Sequence, residues 1–137
     1  MFQTTRRIEF CDTDMAQIVH FANFFRFMES AEVEFLRSRG LNVKLHWEGQ
    51  EIGFPRVSAT CDYLTPATFE DVLDVRLTIE RIGTKSVTYA FEFSRGGEVI
   101  ARGKVTSVCC RVKNGNELQP IPIPESYKRR LLGEPGA

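Results

Sequence analysis

The sequence predicts an α+β fold, an antiparallel sheet of about five strands wrapped around one long central helix. Three observations carry that expectation. One segment spaces its apolar residues at helical intervals, four later segments alternate apolar with polar residues, and turn-forming residues join the alternating segments.

In chain order, a first strand is expected over residues 3–11, ended by the polar Asp12-Thr13-Asp14 and followed by a short loop. The helix is expected over about 22–39, because Phe21, Phe24, Phe25, Met28, Ala31 and Phe35 recur at three- and four-residue steps and Gly40 suits its termination. An irregular stretch is expected through Trp47 and Gly53. The period then changes to two. Val57, Ala59, Cys61 and Tyr63 form one alternating set, Leu73, Val75, Leu77 and Ile79 a second, and Val87, Tyr89, Phe91 and Phe93 a third. A last long strand is expected over about 98–112. Gly83-Thr84 and Gly96-Gly97 read as hairpin turns, and Asn114-Gly115 as a further turn. Pro120, Pro122 and Pro124 end the sheet before a short helix near 125–132. The sheet can curl around the helix and bury its phenylalanine face, which leaves the other sheet face over and implies at least a dimer.

The chain has 137 residues, within the roughly 100–200 of one domain, and shows no repeat or linker, so a single domain over 1–137 is expected. Lys plus Arg and Asp plus Glu number 18 each, a balance that argues against a nucleic-acid partner. No apolar run approaches the ~20 residues that cross a bilayer, and no apolar signal core follows Met1, so a cytoplasmic protein is expected. Cys11, Cys61, Cys109 and Cys110 form no Cys-x-x-Cys pair. With only His20 and His46 beside them they lack zinc-ligand spacing and read as buried, reduced small hydrophobes. Cys109 and Cys110, adjacent on an expected strand, should point to opposite faces.

Chemistry concentrates between Phe10 and Phe24. Two carboxylates, Asp12 and Asp14, follow a strand, and a helix begins about seven residues later. A helix N-terminus presents unpaired N–H groups that can hold an oxyanion, and a carboxylate facing it can attack a carbonyl or activate water. These are the parts of acyl transfer, although Asp-x-Asp in a loop also suits a solvated turn.

Asp12-Thr13-Asp14, then Ile18-Val19-His20-Phe21-Ala22-Asn23-Phe24-Phe25, then Glu29 and the helix end at 36–40 resemble the 4-hydroxybenzoyl-CoA thioesterase family of hotdog-fold acyl-CoA thioesterases. The likeness runs from about 5 to 112 and is specific in the first forty residues. It implies a homodimer, or a tetramer, that hydrolyses an acyl-CoA without metal or redox cofactor. Asp14 matches the catalytic carboxylate, nucleophile or general base, and Phe21 the residue whose backbone N–H polarises the thioester carbonyl. Glu29 matches the acidic residue at the acyl group's polar end, and Lys85 a basic residue at the CoA phosphates. His20 is a candidate to hydrogen-bond substrate, and Phe25 to line the acyl pocket. Asp12 reads as structural. The loop glycine common in this motif is Gln17 here, so the turn must take another conformation or accept a side chain near substrate. A helix carboxylate serves in other hotdog thioesterases, which leaves Glu29 as an alternative catalytic group. Two other activities stay open: hydrolysis of an acyl carrier protein thioester, and a module that binds acyl-CoA without cleaving it.

Overall fold

Alternation becomes pairing along five strands of the computed structural model, which describes residues 1–134; the last three residues of the expected domain lie outside it. The strands are β1 (Phe2–Arg7), β4 (Arg56–Tyr63), β5 (Val72–Ile82), β6 (Ser86–Arg95) and β7 (Glu98–Val108), in the antiparallel order β1-β5-β6-β7-β4. The helix α1 (Asn23–Ser38) lies between β1 and a small second sheet in chain order. That sheet, β2-β3-β8-β9, is built from β2 (Lys44–Trp47), β3 (Gln50–Gly53), β8 (Cys110–Lys113) and β9 (Glu117–Pro120), and α2 (Glu125–Leu131) follows it.

The helix packs one stripe on the five-stranded sheet. Phe24, Phe27, Met28, Ala31 and Phe35 are buried, with Phe24 edge-on to Phe93 and Phe35 edge-on to Tyr89 at 5.3 and 6.0 Å. Gly103 on β7 makes room for Met28: a Cβ there would overlap the Met28 thioether and lie 2.9 Å from the Thr60 carbonyl of the paired strand. The methionine end can move but the carbonyl cannot, so Gly103→Ala should cost about 1–3 kcal/mol in a chemical denaturation experiment.

Four expectations need correction. The first strand stops at Arg7, because residues 10–12 close a 3-10 turn in which the Asp12 carboxylate accepts the Glu9 N–H at 2.8 Å. Such local bonds compete with a sheet ladder. The stretch through Trp47 and Gly53 is a hairpin, β2–β3, turned by Glu48 and Gly49, both at positive φ. The long strand expected over 98–112 breaks at Cys109, whose N–H donates to the Lys85 carbonyl at 2.7 Å while its carbonyl accepts the Ile121 N–H at 2.9 Å. The chain changes sheets there, so Cys109 and Cys110 do not share a strand; both are buried, whereas Cys11 is exposed and Cys61 half-buried. On α1 the buried stripe includes Phe27 and leaves Phe21 outside the helix and exposed.

Glu32 also falls in that stripe. It is 2% exposed and accepts a hydrogen bond from Arg56 Nη2 at 2.6 Å, which ties the middle of α1 to the start of β4. Burial raises the Glu32 pKa and the adjacent Arg56 guanidinium partly offsets that. Strand β4 itself is an edge strand, exposed along its length apart from half-buried Cys61. At the far end of the molecule α2 docks through buried Tyr127 and Leu131. Trp47 donates to Ser126 at 2.9 Å and meets the Tyr127 ring at 5.4 Å.

Candidate active site

Asp14 sits at the base of a loop that folds back on itself. Thr13 and Val19 form an antiparallel bridge, the Asp14 N–H donates to the Ile18 carbonyl at 3.0 Å, and the Gln17 N–H donates to the Asp14 carbonyl at 2.9 Å. The Asp14 carboxylate is half-buried, and its Oδ1 accepts the Ala16 N–H at 2.8 Å. Oδ2 engages no group among the described residues. The carboxylate thus caps its own turn with one oxygen and keeps the other available.

Gln17 answers the question posed by the missing glycine. It takes φ of 66°, so the backbone keeps a left-handed conformation and the side chain bears the strain. That conformation costs an ordinary residue roughly 1–2 kcal/mol, while glycine's flexibility in the unfolded chain costs about 0.5–1. Gln17→Gly should therefore leave the thermal midpoint unchanged or raise stability by up to about 1 kcal/mol, and Gln17→Val should lower it.

Asp12 is the anchor of the loop. Its buried carboxylate faces Arg6 at 3.6 Å, and its carbonyl accepts both the His20 N–H at 2.9 Å and the Asn23 side-chain amide at 2.8 Å. The Val19 N–H donates to the Ala67 carbonyl at 2.8 Å, which fastens the returning limb to the segment before β5. These bonds bring Asp14, His20 and Phe21 together in one fastened loop.

Phe21 lies two residues before α1, whose first turn has Ala22 as its cap and no capping side chain. The polar groups around Phe21 are nearly all engaged. The His20 carbonyl accepts the Asn23 N–H at 2.9 Å, and the Ala22 N–H donates to His20 Nδ1 at 3.2 Å. The Phe21 carbonyl accepts the Tyr63 hydroxyl at 2.9 Å. Of the two peptides flanking the Phe21 Cα, only the Phe21 N–H is left without a partner among the described residues. Because His20 Nδ1 accepts, the neutral ring carries its proton on Nε2; the ring stacks on Phe21 at 4.7 Å.

The remaining candidates lie apart from this group. Phe25 is half-buried against the core. Glu29, four residues beyond Phe25, is exposed on the outer side of α1, in a concavity with Arg6, Arg26 and Arg37, and does not stand on the helix's apolar face. Glu32, one turn on, takes the buried position. Lys85 is exposed in the β5–β6 turn. The loop lies by the start of β5 and the end of β6, and the ten residues of β6, at about 3.3 Å each, set Lys85 roughly 30 Å along the strand from it. One chain does not bring Lys85 to Asp14.

Sequence reasoning missed Tyr63 and the Glu32–Arg56 pair. Glu32 was detectable, since it lies four residues after Met28 and three before Phe35. Tyr63 reaches Phe21 across 42 residues of sequence, and no local pattern marks it.

A model of the thioesterase-like superfamily matches residues 8–131. An Aquifex aeolicus protein, whose name places it provisionally among the esterases, is 38% identical over 111 residues, covering 80% of this chain and 84% of the relative. A 1,4-dihydroxy-2-naphthoyl-CoA hydrolase of Nostoc punctiforme is 31% identical over 108 residues, covering 79% of this chain and 73% of the relative. Among solved structures, a 1,4-dihydroxy-2-naphthoyl-CoA thioesterase from Synechocystis superposes with a TM-score of 0.81 at 25% identity, covering 96% of this chain and 95% of that one.

Proposed function

The chain belongs to the thioesterase-like superfamily, and on that premise we propose that it hydrolyses an aryl-CoA thioester to the free acid and CoA at the Asp14 loop. The fold is the hotdog fold and the enzyme class is thioester hydrolase. The observation that supports the site assignment is the Phe21 N–H, without a partner among the described residues and flanked by engaged groups on both sides, in the same loop as a half-buried carboxylate with one available oxygen.

In this reading the thioester carbonyl accepts the Phe21 N–H, which gains strength as the oxygen becomes an oxyanion. One such donor is worth roughly 2.7–4 kcal/mol in acyl-transfer sites. Asp14 Oδ2 either adds to the carbonyl carbon or takes a proton from a water that adds. The tetrahedral oxyanion then collapses, the carbon–sulfur bond breaks, and CoA leaves as thiolate and takes up a proton. If Asp14 adds directly, water hydrolyses the resulting anhydride and restores the carboxylate. In this reading His20 Nε2–H donates to substrate, while Phe25 and Glu29, which lie apart from the loop in one chain, are assigned the acyl group by the family resemblance. The chemistry needs only water and these groups, so no cofactor is invoked.

An aromatic acyl group is supported by the names of the naphthoyl-CoA relatives and by the rings of Phe21 and Tyr63 beside the loop. A homodimer is supported by β4. Antiparallel pairing of two β4 strands would cover an edge that one chain leaves exposed. It would also set the Arg56 end of one strand beside the Tyr63 end of the other. Lys85 lies at the Arg56 end, because Ser86 pairs with Val108 and the Val108 N–H donates to the Pro55 carbonyl. Lys85 of a second copy is therefore the candidate for the CoA phosphates. No helix among the described residues is long and apolar enough to cross a membrane, and a cytoplasmic site of action fits the substrate.

A thiol-release assay over aromatic and aliphatic acyl-CoAs, with the best acyl group also offered on a carrier protein, tests this reading. Selective release from an aryl-CoA is expected. Slow, unselective release from every substrate would favour a binding module, and preference for the carrier protein would move the activity there.

A further inference from the structure

We propose that Tyr63, on the edge strand β4, is a positioning residue that aims the Phe21 N–H at the thioester oxygen; this rests on the assignment of that N–H as the oxyanion donor. The Phe21 N–H direction depends on the two peptides that meet at the Phe21 Cα. The first is held by its carbonyl, through the Asn23 N–H at 2.9 Å. The second is held at both ends, its N–H by His20 Nδ1 at 3.2 Å and its carbonyl by the Tyr63 hydroxyl at 2.9 Å.

Of these three bonds, two come from residues of the same short segment and would move with it. Of the three, Tyr63 alone reaches in from the sheet, 42 residues away, and it ties the Phe21 carbonyl itself to β4, beyond the anchors that Asp12 and Ala67 give the neighbouring residues. Among the described residues, the only other donor to the Phe21 carbonyl is the Phe24 N–H at 3.4 Å, a long bond at an uncapped helix start. The Tyr63 ring adds edge contacts to Phe21 and Phe24 at 6.3 and 5.6 Å, which orient the hydroxyl. Partial burial and then the neighbouring Cys61 thiol raise the Tyr63 pKa, so the hydroxyl keeps its proton and remains a donor at neutral pH. A preorganised donor costs nothing to reorient as charge develops, whereas a loosely held one does.

The test is Tyr63→Phe, which deletes the hydroxyl and keeps the ring contacts. With the best aryl-CoA, kcat should fall roughly 3- to 12-fold, the effect of about one hydrogen bond felt in the transition state, while KM stays within about twofold. The Phe21 amide signal in a 15N–1H spectrum should shift or broaden, and the size-exclusion profile should match that of the parent. An undiminished kcat, a loss confined to KM, an unmoved Phe21 signal, or a loss accompanied by subunit dissociation would each overturn the role. An active parent with an undiminished Tyr63→Phe variant defeats Tyr63 alone. A parent that releases no CoA from any acyl-CoA defeats the functional reading and this role with it.

Discussion

Asp14→Asn should abolish most thioester turnover while leaving the loop as it is. Asparagine keeps the size of aspartate and an oxygen for the Ala16 N–H, so the turn at 14–17 has no reason to open. What it loses is the negative charge on the available oxygen, and with it the capacity proposed for Asp14 to act as nucleophile or as base. A positioned base alone contributes about 10²–10⁴-fold, so kcat should drop by at least that range with KM little changed. Glu29→Gln is the companion experiment. Glu29 stands exposed on the outer side of α1, and its exchange should shift the ranking of acyl groups while the best substrate is still turned over quickly. Single-turnover thiol release separates the two variants. Near-parental rates in Asp14→Asn together with an inert Glu29→Gln would transfer the carboxylate's role to the helix.

Arg56→Ala should be the most destabilising single exchange on the polar side of the core. Glu32 is 2% exposed and Arg56 Nη2 is its hydrogen-bonded partner at 2.6 Å. Removing one member of a buried pair leaves an uncompensated charge and typically costs about 3–5 kcal/mol. The pH dependence has a definite sign. Burial raises the folded pKa of Glu32 above its unfolded value, so acidification from above the raised value toward the ordinary one favours the folded state. Without Arg56 the folded pKa rises further. The variant's deficit should therefore be largest at alkaline pH and shrink as pH falls toward the ordinary carboxylate range. Denaturation at pH 8 and pH 5 reads this directly, and a deficit that is equal or larger at pH 5 would contradict the assignment.

The parts of this molecule that were legible in sequence are those whose cause is local. The α1 stripe could be read because Phe24, Met28, Ala31 and Phe35 repeat with the helical period, and the β5–β6–β7 meander because side chains alternate on either side of glycine turns. That Asp14, His20 and Phe21 share one loop before α1 was legible for the same reason, since they lie within seven positions of one another in sequence. The β2–β3 hairpin escaped because its strands have four residues each and its turn is Glu48-Gly49 rather than the commoner Asn-Gly. Counting four residues on from Phe25 puts Glu29 on the same side of α1 as that residue, but Phe25 flanks the buried stripe, and the carboxylate inside is Glu32. Its partner Arg56, like Tyr63 opposite Phe21, comes from a distant strand. Contacts of that range are set by sheet register, which no window of sequence contains.

The single tryptophan of the chain has a practical value. Trp47 is wedged against α2, with its indole N–H on Ser126 and the Arg130 guanidinium 5.2 Å from the ring centre. Its intrinsic emission should report detachment of the C-terminal segment and be nearly silent to events around residues 12–21. A fluorescence melt and an activity assay on the same sample would thus follow opposite ends of the protein, and a gap between the two curves would reveal that one end lets go before the other.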